Sequence, residues 1–394
     1  MSTFKPLNGN QTIAEAARQV DPDVVAAYPI TPSTAIVESI AQFKADGLIK
    51  GEFVCPESEH SAMSMCIGAA SAGGRVMTAT CSQGLALMWE MLYIAAGLRL
   101  PIVAGIANRA LSAPINIHGD HSDTMGARDA GWIHLYSENC QEAYDNCLQA
   151  FRIAEHPEVM TPVLVGLDGF IISHSVEVIQ VEDDERVKAF VGEYKPLFPL
   201  LDTSRRFTVG PLDFTDYYFE HKRSQIEGIE RAPAVIEQVA KDFGREFGRH
   251  YGFFEEYRMK DAEFGIVVMS SAAGTGKDAV DELRDEGLPI GLVKPRVFRP
   301  FPHIGLAEAL KKLKAVAVLD RCSSPGAFGA PLFTEIRSAL YDYDKRPQMV
   351  NYVYGLGGRD IKVEHFKEAA RALVKIAETG KVTQQCGYLN LREG

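Results

Sequence analysis

The 394 residues are 46% apolar and 24% charged, the balance of a water-soluble globular protein with room for two or three domains. Formal net charge is −11, from 41 Lys and Arg against 52 Asp and Glu, which excludes nucleic acid or an anionic membrane as the principal partner. No apolar run reaches the roughly 18 residues of a membrane helix, and MSTFKPLNGNQT lacks a signal-peptide core, so a cytoplasmic location is predicted. The seven cysteines (Cys55, Cys66, Cys81, Cys140, Cys147, Cys322, Cys386) form no Cys-x-x-Cys pair. Iron–sulfur and structural zinc sites need such close spacing. The cysteines therefore read as reduced core thiols, and they are expected to hold no iron–sulfur cluster or structural zinc.

Asn8 to Val20 opens with turn residues and continues as an amphipathic helix. Asp23 to Tyr28 reads as a short strand ending in Pro29-Ile30-Thr31-Pro32, where two prolines forbid helix and stiffen the loop. Ser33 and Thr34 are placed to cap a helix through Phe43. The stretch Pro56 to Gly84 follows. Glu59 opens a helix in which Ala62, Cys66, Ala69 and Gly73 form a narrow face of small side chains suited to close packing. Gly73 and Gly74 end it. Arg75 to Cys81 is an apolar, strand-favouring run, and Ser82-Gln83-Gly84 turns into a helix from Leu85 to about Ala96.

Leu100 to Ile106 is another buried strand, ending in Ala107-Asn108-Arg109. Ser112 to Asp129 is a polar loop carrying His118, Asp120, His121, Asp123, Arg128 and Asp129. A loop of that length inside a compact domain points to function. Its His and Asp residues raise a metal site, although the spacing matches no standard one. Gln141 to His156 reads as a helix and Pro162 to Leu167 as a strand, and the alternation implies a parallel sheet with helices on both faces.

Glu182 to about Tyr257 is charged, carries Phe214, Tyr217, Tyr218 and Phe219, and has an amphipathic helix over Ala232 to Phe247; it reads as a connecting arm that wraps neighbouring surface. A second αβ unit starts with the strand Phe264 to Met269 and the helix Asp278 to Glu286. Strands Ile290 to Val293 and Val316 to Leu319 follow, with helices near Leu306 to Leu313 and Leu332 to Tyr341. Gly276-Lys277 suggests a nucleotide P-loop, but Ser271 stands where the first glycine belongs and Asp278 where a magnesium-binding hydroxyl belongs. The glycines of Ser323 to Gly329 and Gly355 to Gly358 read as close-packing turns.

The order glutamate, small-faced helix, Gly-Gly-basic, buried strand and Ser/Gly turn resembles the pyrimidine-binding half of thiamine-diphosphate enzymes. With Tyr28-Pro29-Ile30-Thr31-Pro32, Glu57-Ser58-Glu59-His60, Ser82-Gln83-Gly84-Leu85, Asn108-Arg109-Ala110 and Gly119-Asp120-His121-Ser122-Asp123, the chain resembles the alpha subunits of 2-oxoacid:ferredoxin oxidoreductases, the pyruvate synthase type most closely. The likeness extends over Phe298-Arg299-Pro300-Phe301-Pro302 and Leu356-Gly357-Gly358.

That resemblance implies two parallel-sheet αβ domains. Residues 1–255 would form a thiamine-diphosphate pyrimidine domain with its connecting arm, and residues 256–394 a transketolase-C-terminal-like domain. It implies a cofactor shared with a beta subunit, with Mg²⁺ and [4Fe-4S] clusters on partner subunits. The implied partners are beta, gamma and ferredoxin-like delta subunits, ferredoxin, pyruvate and coenzyme A. The implied reaction converts pyruvate, coenzyme A and oxidised ferredoxin to acetyl-CoA, carbon dioxide and reduced ferredoxin, reversibly. Glu59 would share a proton with the aminopyrimidine ring, with Pro29, Ser82 and Gln83 also at the cofactor. Arg109 would clamp the substrate carboxylate. Thr31 would donate to the same carboxylate or to the keto oxygen, with Asn116 nearby and Asp120 and His121 behind. A threonine at position 31 points to pyruvate, since relatives acting on oxalate carry a basic residue there. Branched-chain acids stay open through Ile115, Asn116 and Ile117, and a non-catalytic scaffold subunit is the rival from another class.

Overall fold

The computed structural model describes residues 2–392. A seven-stranded sheet runs, edge to edge, Val297–Arg299, Ile133–Tyr136, Val163–Asp168, Ile102–Asn108, Val76–Thr80, Val24–Ala26 and Glu52–Val54. All neighbours are parallel except Val297–Arg299, which joins antiparallel. Successive side chains of one strand point to opposite faces. Ile102, Ala104 and Ile106 pack with Met63, Leu85 and Leu92 on one face, while Val103 packs with Ile13, Ile36 and Phe151 on the other. The expected doubly covered parallel sheet is therefore present.

A second sheet runs Cys386–Tyr388, Gln348–Val353, Ala315–Asp320, Phe264–Val268, Ile290–Pro295 and Phe254–Tyr257, parallel except for the last. The helices Ala272–Asp285 and Val363–Thr379 contribute to one core cluster, His303–Leu310 and Pro331–Leu340 to the other. Met125 and Tyr136 of the first unit join that second cluster. The junction also holds buried charge: Lys294 Nζ lies 2.7 Å from Glu138 and 3.0 Å from Glu142. Lys277, the residue that suggested a P-loop, pairs at 3.0 Å with both Glu138 and Glu255.

Several elements differ from the sequence reading. Thr3–Asn8 pairs antiparallel with Val176–Val181 in a two-stranded ribbon, and Ile133–Tyr136 is a fully buried strand; short strands without clear alternation leave little signal. The helix after Ser82 is two helices, Ser82–Leu87 and Trp89–Gly97. Ser33 makes no cap bond; its hydroxyl donates to the Ile30 carbonyl at 2.8 Å. The helix expected from Ala232 begins at Tyr218 and runs 30 residues to Phe247 with Pro233 inside it. Before it, Phe198, Leu201, Leu212, Phe214 and Tyr217 are exposed, as are Tyr218 and Phe219 in its first turn. The stretch ahead of this helix is anchored where the Leu200 N–H donates to the Ser71 carbonyl at 2.8 Å.

Candidate active site

Every residue singled out in the first unit lies in the segments that follow the carboxyl ends of parallel strands. Thr31 follows Val24–Ala26, Glu59 follows Glu52–Val54, Ser82 follows Val76–Thr80, and Arg109 follows Ile102–Asn108. In open parallel sheets this end is where ligands bind.

Glu59 stands in the first turn of the helix Glu59–Ala72, capped by the Ser58 side chain. Two residues away, Glu57 is exposed and accepts a hydrogen bond from the Ser61 hydroxyl at 2.6 Å. Glu59 is only 6% exposed, and its carboxylate makes no hydrogen bond or ion pair among the described residues. The buried face of this helix is Ala62, Met63, Cys66, Ala70 and Ser71, rather than the Ala62, Cys66, Ala69 and Gly73 stripe expected. The reason is that Gly73 is already past the helix, a left-handed cap at φ 105°, where Pro196 and Pro199 of the arm close over it.

Gly84 makes room for the Glu59 carboxylate. A Cβ there would sit 2.7 Å from Glu59 Oε1 and would collide with Thr80 Oγ1. The turn before it is strained: Ser82 is buried at φ 46°, a region that side chains other than glycine rarely adopt. The Ser82 hydroxyl is 2.6 Å from both Gln83 Oε1 and the Ala110 carbonyl. Ser82 and Gln83 therefore engage each other and the neighbouring loop.

Arg109 is buried and pairs with no carboxylate among the described residues. Its Nε donates to the Asn116 carbonyl and its Nη1 to the Thr31 carbonyl, both at 2.9 Å. These two bonds fix the guanidinium plane and leave N–H groups on Nη1 and Nη2. The Thr31 carbonyl also accepts from the Cys81 thiol at 3.2 Å, and burial pushes that thiol's pKa up to about 12. Thr31 itself is exposed, and its hydroxyl has no hydrogen-bond partner among the described residues; Pro29 is exposed on the same loop.

The polar loop is ordered by its own side chains and by the second unit. Asn116 Oδ1 accepts from the His118 N–H at 2.7 Å, and Asn116 Nδ2 donates to the Gly357 carbonyl at 3.2 Å. Asp120 accepts from the Ser122 N–H and from the Gly357 N–H. The Gly355 to Gly358 turn is indeed a packing turn, since a Cβ on Gly357 or Gly358 would strike Asn116 or His118. His121 Nε2 lies 2.7 Å from Asp168 Oδ1, and Arg321 Nη1 lies 3.2 Å from Asp168 Oδ2. Ser271 N–H and hydroxyl also donate to Asp168. Burial would raise the Asp168 pKa, but Arg321 and His121 overcome it and hold the carboxyl well below the usual range. Among the described residues no cluster of His, Cys, Asp or Glu is arranged to hold a metal ion.

Sequence reasoning did not find Asp168, Ser271 or Arg321, which come together only when the two sheets dock. The signal for Asp168 was a buried strand ending in Asp-Gly.

The residues present fit thiamine diphosphate: a buried, unpartnered carboxylate faces space kept open by a glycine, which suits a group that must both accept and share a proton in a dry place. Residues 15–241 match the family model described as pyruvate flavodoxin/ferredoxin oxidoreductase, thiamine diphosphate-binding, and residues 262–366 match pyruvate:ferredoxin oxidoreductase core domain II. The chain is 54% identical to pyruvate synthase subunit PorA of Thermotoga maritima, over 98% of each chain. It is 44% identical to ketoisovalerate oxidoreductase subunit VorA of Pyrococcus horikoshii, again over 98% of each. In fold it is similar to the 2-oxoglutarate:ferredoxin oxidoreductase of Magnetococcus marinus, with a TM-score of 0.73 at 19% identity, over 94% of this chain and 65% of that one. A split-gene transketolase is a more distant neighbour in fold, with a TM-score of 0.54 at 13% identity, over 95% of this chain and 98% of that one. From its partnerless glutamate to its second sheet, this chain belongs to the family of pyruvate flavodoxin/ferredoxin oxidoreductases, thiamine-diphosphate-dependent oxidoreductases of 2-oxoacids.

Proposed function

We propose that the chain is the alpha-type subunit of a pyruvate:ferredoxin oxidoreductase, forming acetyl-CoA, carbon dioxide and reduced ferredoxin from pyruvate and coenzyme A, and reversibly so. The observation that carries this is Glu59: a buried carboxylate with no partner in its own chain, opposite Gly84 at the carboxyl end of the sheet. Thiamine diphosphate, when bound, supplies the electron sink for decarboxylation. Glu59 holds the proton shared with the cofactor's aminopyrimidine nitrogen, and the Ser82-Gln83-Gly84 turn and Pro29 shape the wall beside it. Arg109 offers its remaining Nη1 and Nη2 hydrogens to the substrate carboxylate, a geometry suited to a planar anion. The free Thr31 hydroxyl donates to the substrate. Asn116 works from behind, by seating Arg109.

Pyruvate is preferred over oxalate because Thr31 adds no charge, and over a branched acid because identity to the pyruvate synthase of T. maritima (54%) exceeds that to the ketoisovalerate enzyme (44%). The division at residue 255 into a pyrimidine domain and a transketolase-C-terminal-like domain belongs to the same reading. So do partners of beta, gamma and delta type that bring Mg²⁺, [4Fe-4S] clusters and ferredoxin docking; the exposed aromatic arm supports an assembled state. The test is coenzyme-A-dependent dye reduction by the purified complex with pyruvate, 2-oxoisovalerate, 2-oxoglutarate and oxalate in turn. Pyruvate is expected to give the highest kcat/KM; preference for the branched acid, or no 2-oxoacid-dependent turnover, refutes the reading.

A further inference from the structure

Asp123 is buried in the centre of the site, and no basic side chain pairs with it among the described residues. Its carboxylate accepts four N–H groups. Oδ2 takes the backbone N–H of Ser82 and of Arg109, each at 2.9 Å. Oδ1 takes Asn108 Nδ2 at 2.9 Å and the Thr124 N–H at 2.7 Å. Burial raises its pKa above the ordinary carboxylate range and the donors oppose the rise. Since all four partners donate, the hydrogen bonds favour the ionised form, which has acceptors only.

Two of these donors belong to different sides of the site. The Ser82 amide lies in the strained turn that leads to Gly84, against which Glu59 rests. The Arg109 amide begins the segment that carries the guanidinium. One oxygen atom thus ties the backbone beside the cofactor to the backbone beside the substrate. A non-glycine residue at positive φ persists only when its surroundings hold it there, and the Asp123 carboxylate holds the Ser82 backbone while the Ala110 carbonyl holds its hydroxyl. The carboxylate is anchored in turn. Asn108 Nδ2 also reaches Thr124 Oγ1 at 2.9 Å, and the buried Tyr136 hydroxyl donates to the same oxygen at 2.7 Å.

We infer that Asp123 is a positioning residue that couples the Ser82-Gln83-Gly84 turn to Arg109, so that cofactor site and substrate site keep their mutual geometry through one carboxylate oxygen. The inference rests on the 2-oxoacid reading above for what the two sides bind.

The test is Asp123→Asn in the complete complex. The side-chain NH2 must then face one pair of N–H donors, whichever way the amide turns. Hydrogen–deuterium exchange, read by mass spectrometry on peptic fragments containing Ser82 and Arg109, is expected to quicken about tenfold or more at both, as loss of a charge-assisted hydrogen bond implies. The half-saturating thiamine diphosphate concentration and the KM for pyruvate are expected to rise together, by about tenfold each. If the complex fails to assemble, Asn108→Ser removes one donor without adding a repulsive group, and the same two constants are expected to rise together by about two- to fourfold. A lowered melting temperature with both constants unchanged makes Asp123 merely structural and overturns the inference. So does a rise in one constant alone, or unaltered exchange at either fragment. Failure of the underlying reading shows separately, as an unmutated complex with no 2-oxoacid-dependent turnover.

Discussion

Gly84→Ala separates the active site from the stability of the fold. The added methyl would sit 2.7 Å from Glu59 Oε1 and 3.0 Å from Glu59 Cγ, where ordinary contact begins near 3.4 Å. The Glu59 side chain has no partner to hold it, so it yields first, by about 0.7 Å, and Thr80 turns its hydroxyl aside. Overpacking costs about 1–3 kcal/mol, limited here because neither the Glu59 carboxylate nor the Thr80 hydroxyl gives up a hydrogen bond by moving. Alanine returns about 0.5–1 kcal/mol of helix preference within Ser82–Leu87. The melting temperature of the complex should therefore move little. Catalysis should not be so lenient, since a misplacement of about 1 Å costs on the order of 10²-fold in rate. We expect kcat for pyruvate-dependent dye reduction to fall about 30- to 100-fold, with cofactor content and far-ultraviolet circular dichroism intact. Unchanged kcat at unchanged melting temperature would show that the space above Gly84 is not where Glu59 works, and would remove the main support for its role.

Glu59→Gln keeps shape but cannot shuttle a proton, so exchange of the cofactor's thiazolium proton, followed by quench and NMR, should slow by at least about 10²-fold. Glu57→Gln, at an exposed position bonded only to Ser61, should leave exchange near normal, and the reverse pattern exchanges the two assignments. Arg109→Lys cannot reach the Thr31 and Asn116 carbonyls and still offer a fork, so kcat/KM for pyruvate should drop by about 1.5–3 kcal/mol, mostly in KM; an unchanged KM would place the carboxylate elsewhere. His134 is buried with neither ring nitrogen bonded, and burial, helped by Arg299, lowers its pKa to about 3. The unfolded chain then takes up a proton near pH 6.5 that the folded chain refuses, so stability declines as pH falls from about 6.5 towards 3, by about 1.4 kcal/mol per unit. In urea denaturation at pH 7 and pH 5, His134→Phe should be less acid-sensitive than wild type by about 2 kcal/mol; equal slopes would mean that the histidine is protonated in the fold.

The parallel character of the first sheet was legible because its strands are short apolar runs separated by amphipathic helices, and Arg109, Ser82 and Glu59 were already readable as following strand ends. That Glu59 falls inside the helix and Glu57 outside it was legible too, since Glu57 follows Pro56. Register was less so: the buried stripe follows Ala62, Cys66 and Ala70, because the true helix stops one residue before Gly73. The polar loop of residues 112–129 showed its importance but not its order, as Asn116, Asp120 and His121 are fixed by Gly357, Asp168 and Arg321, far away in the chain. No local pattern records such pairings, which exist only once two finished sheets meet.

The antiparallel strand Val297–Arg299 also bears on how the chain is made. It closes the edge of a sheet whose other six strands lie within residues 24–168. During synthesis that edge stays open until about 130 further residues have been added. Meanwhile Ile133–Tyr136 presents unpaired backbone groups, a surface on which other nascent chains can pair. A fragment cut at residue 255 keeps that exposed edge permanently. The pyrimidine unit reaches its finished form only through a loan from the domain behind it, so the two must mature together.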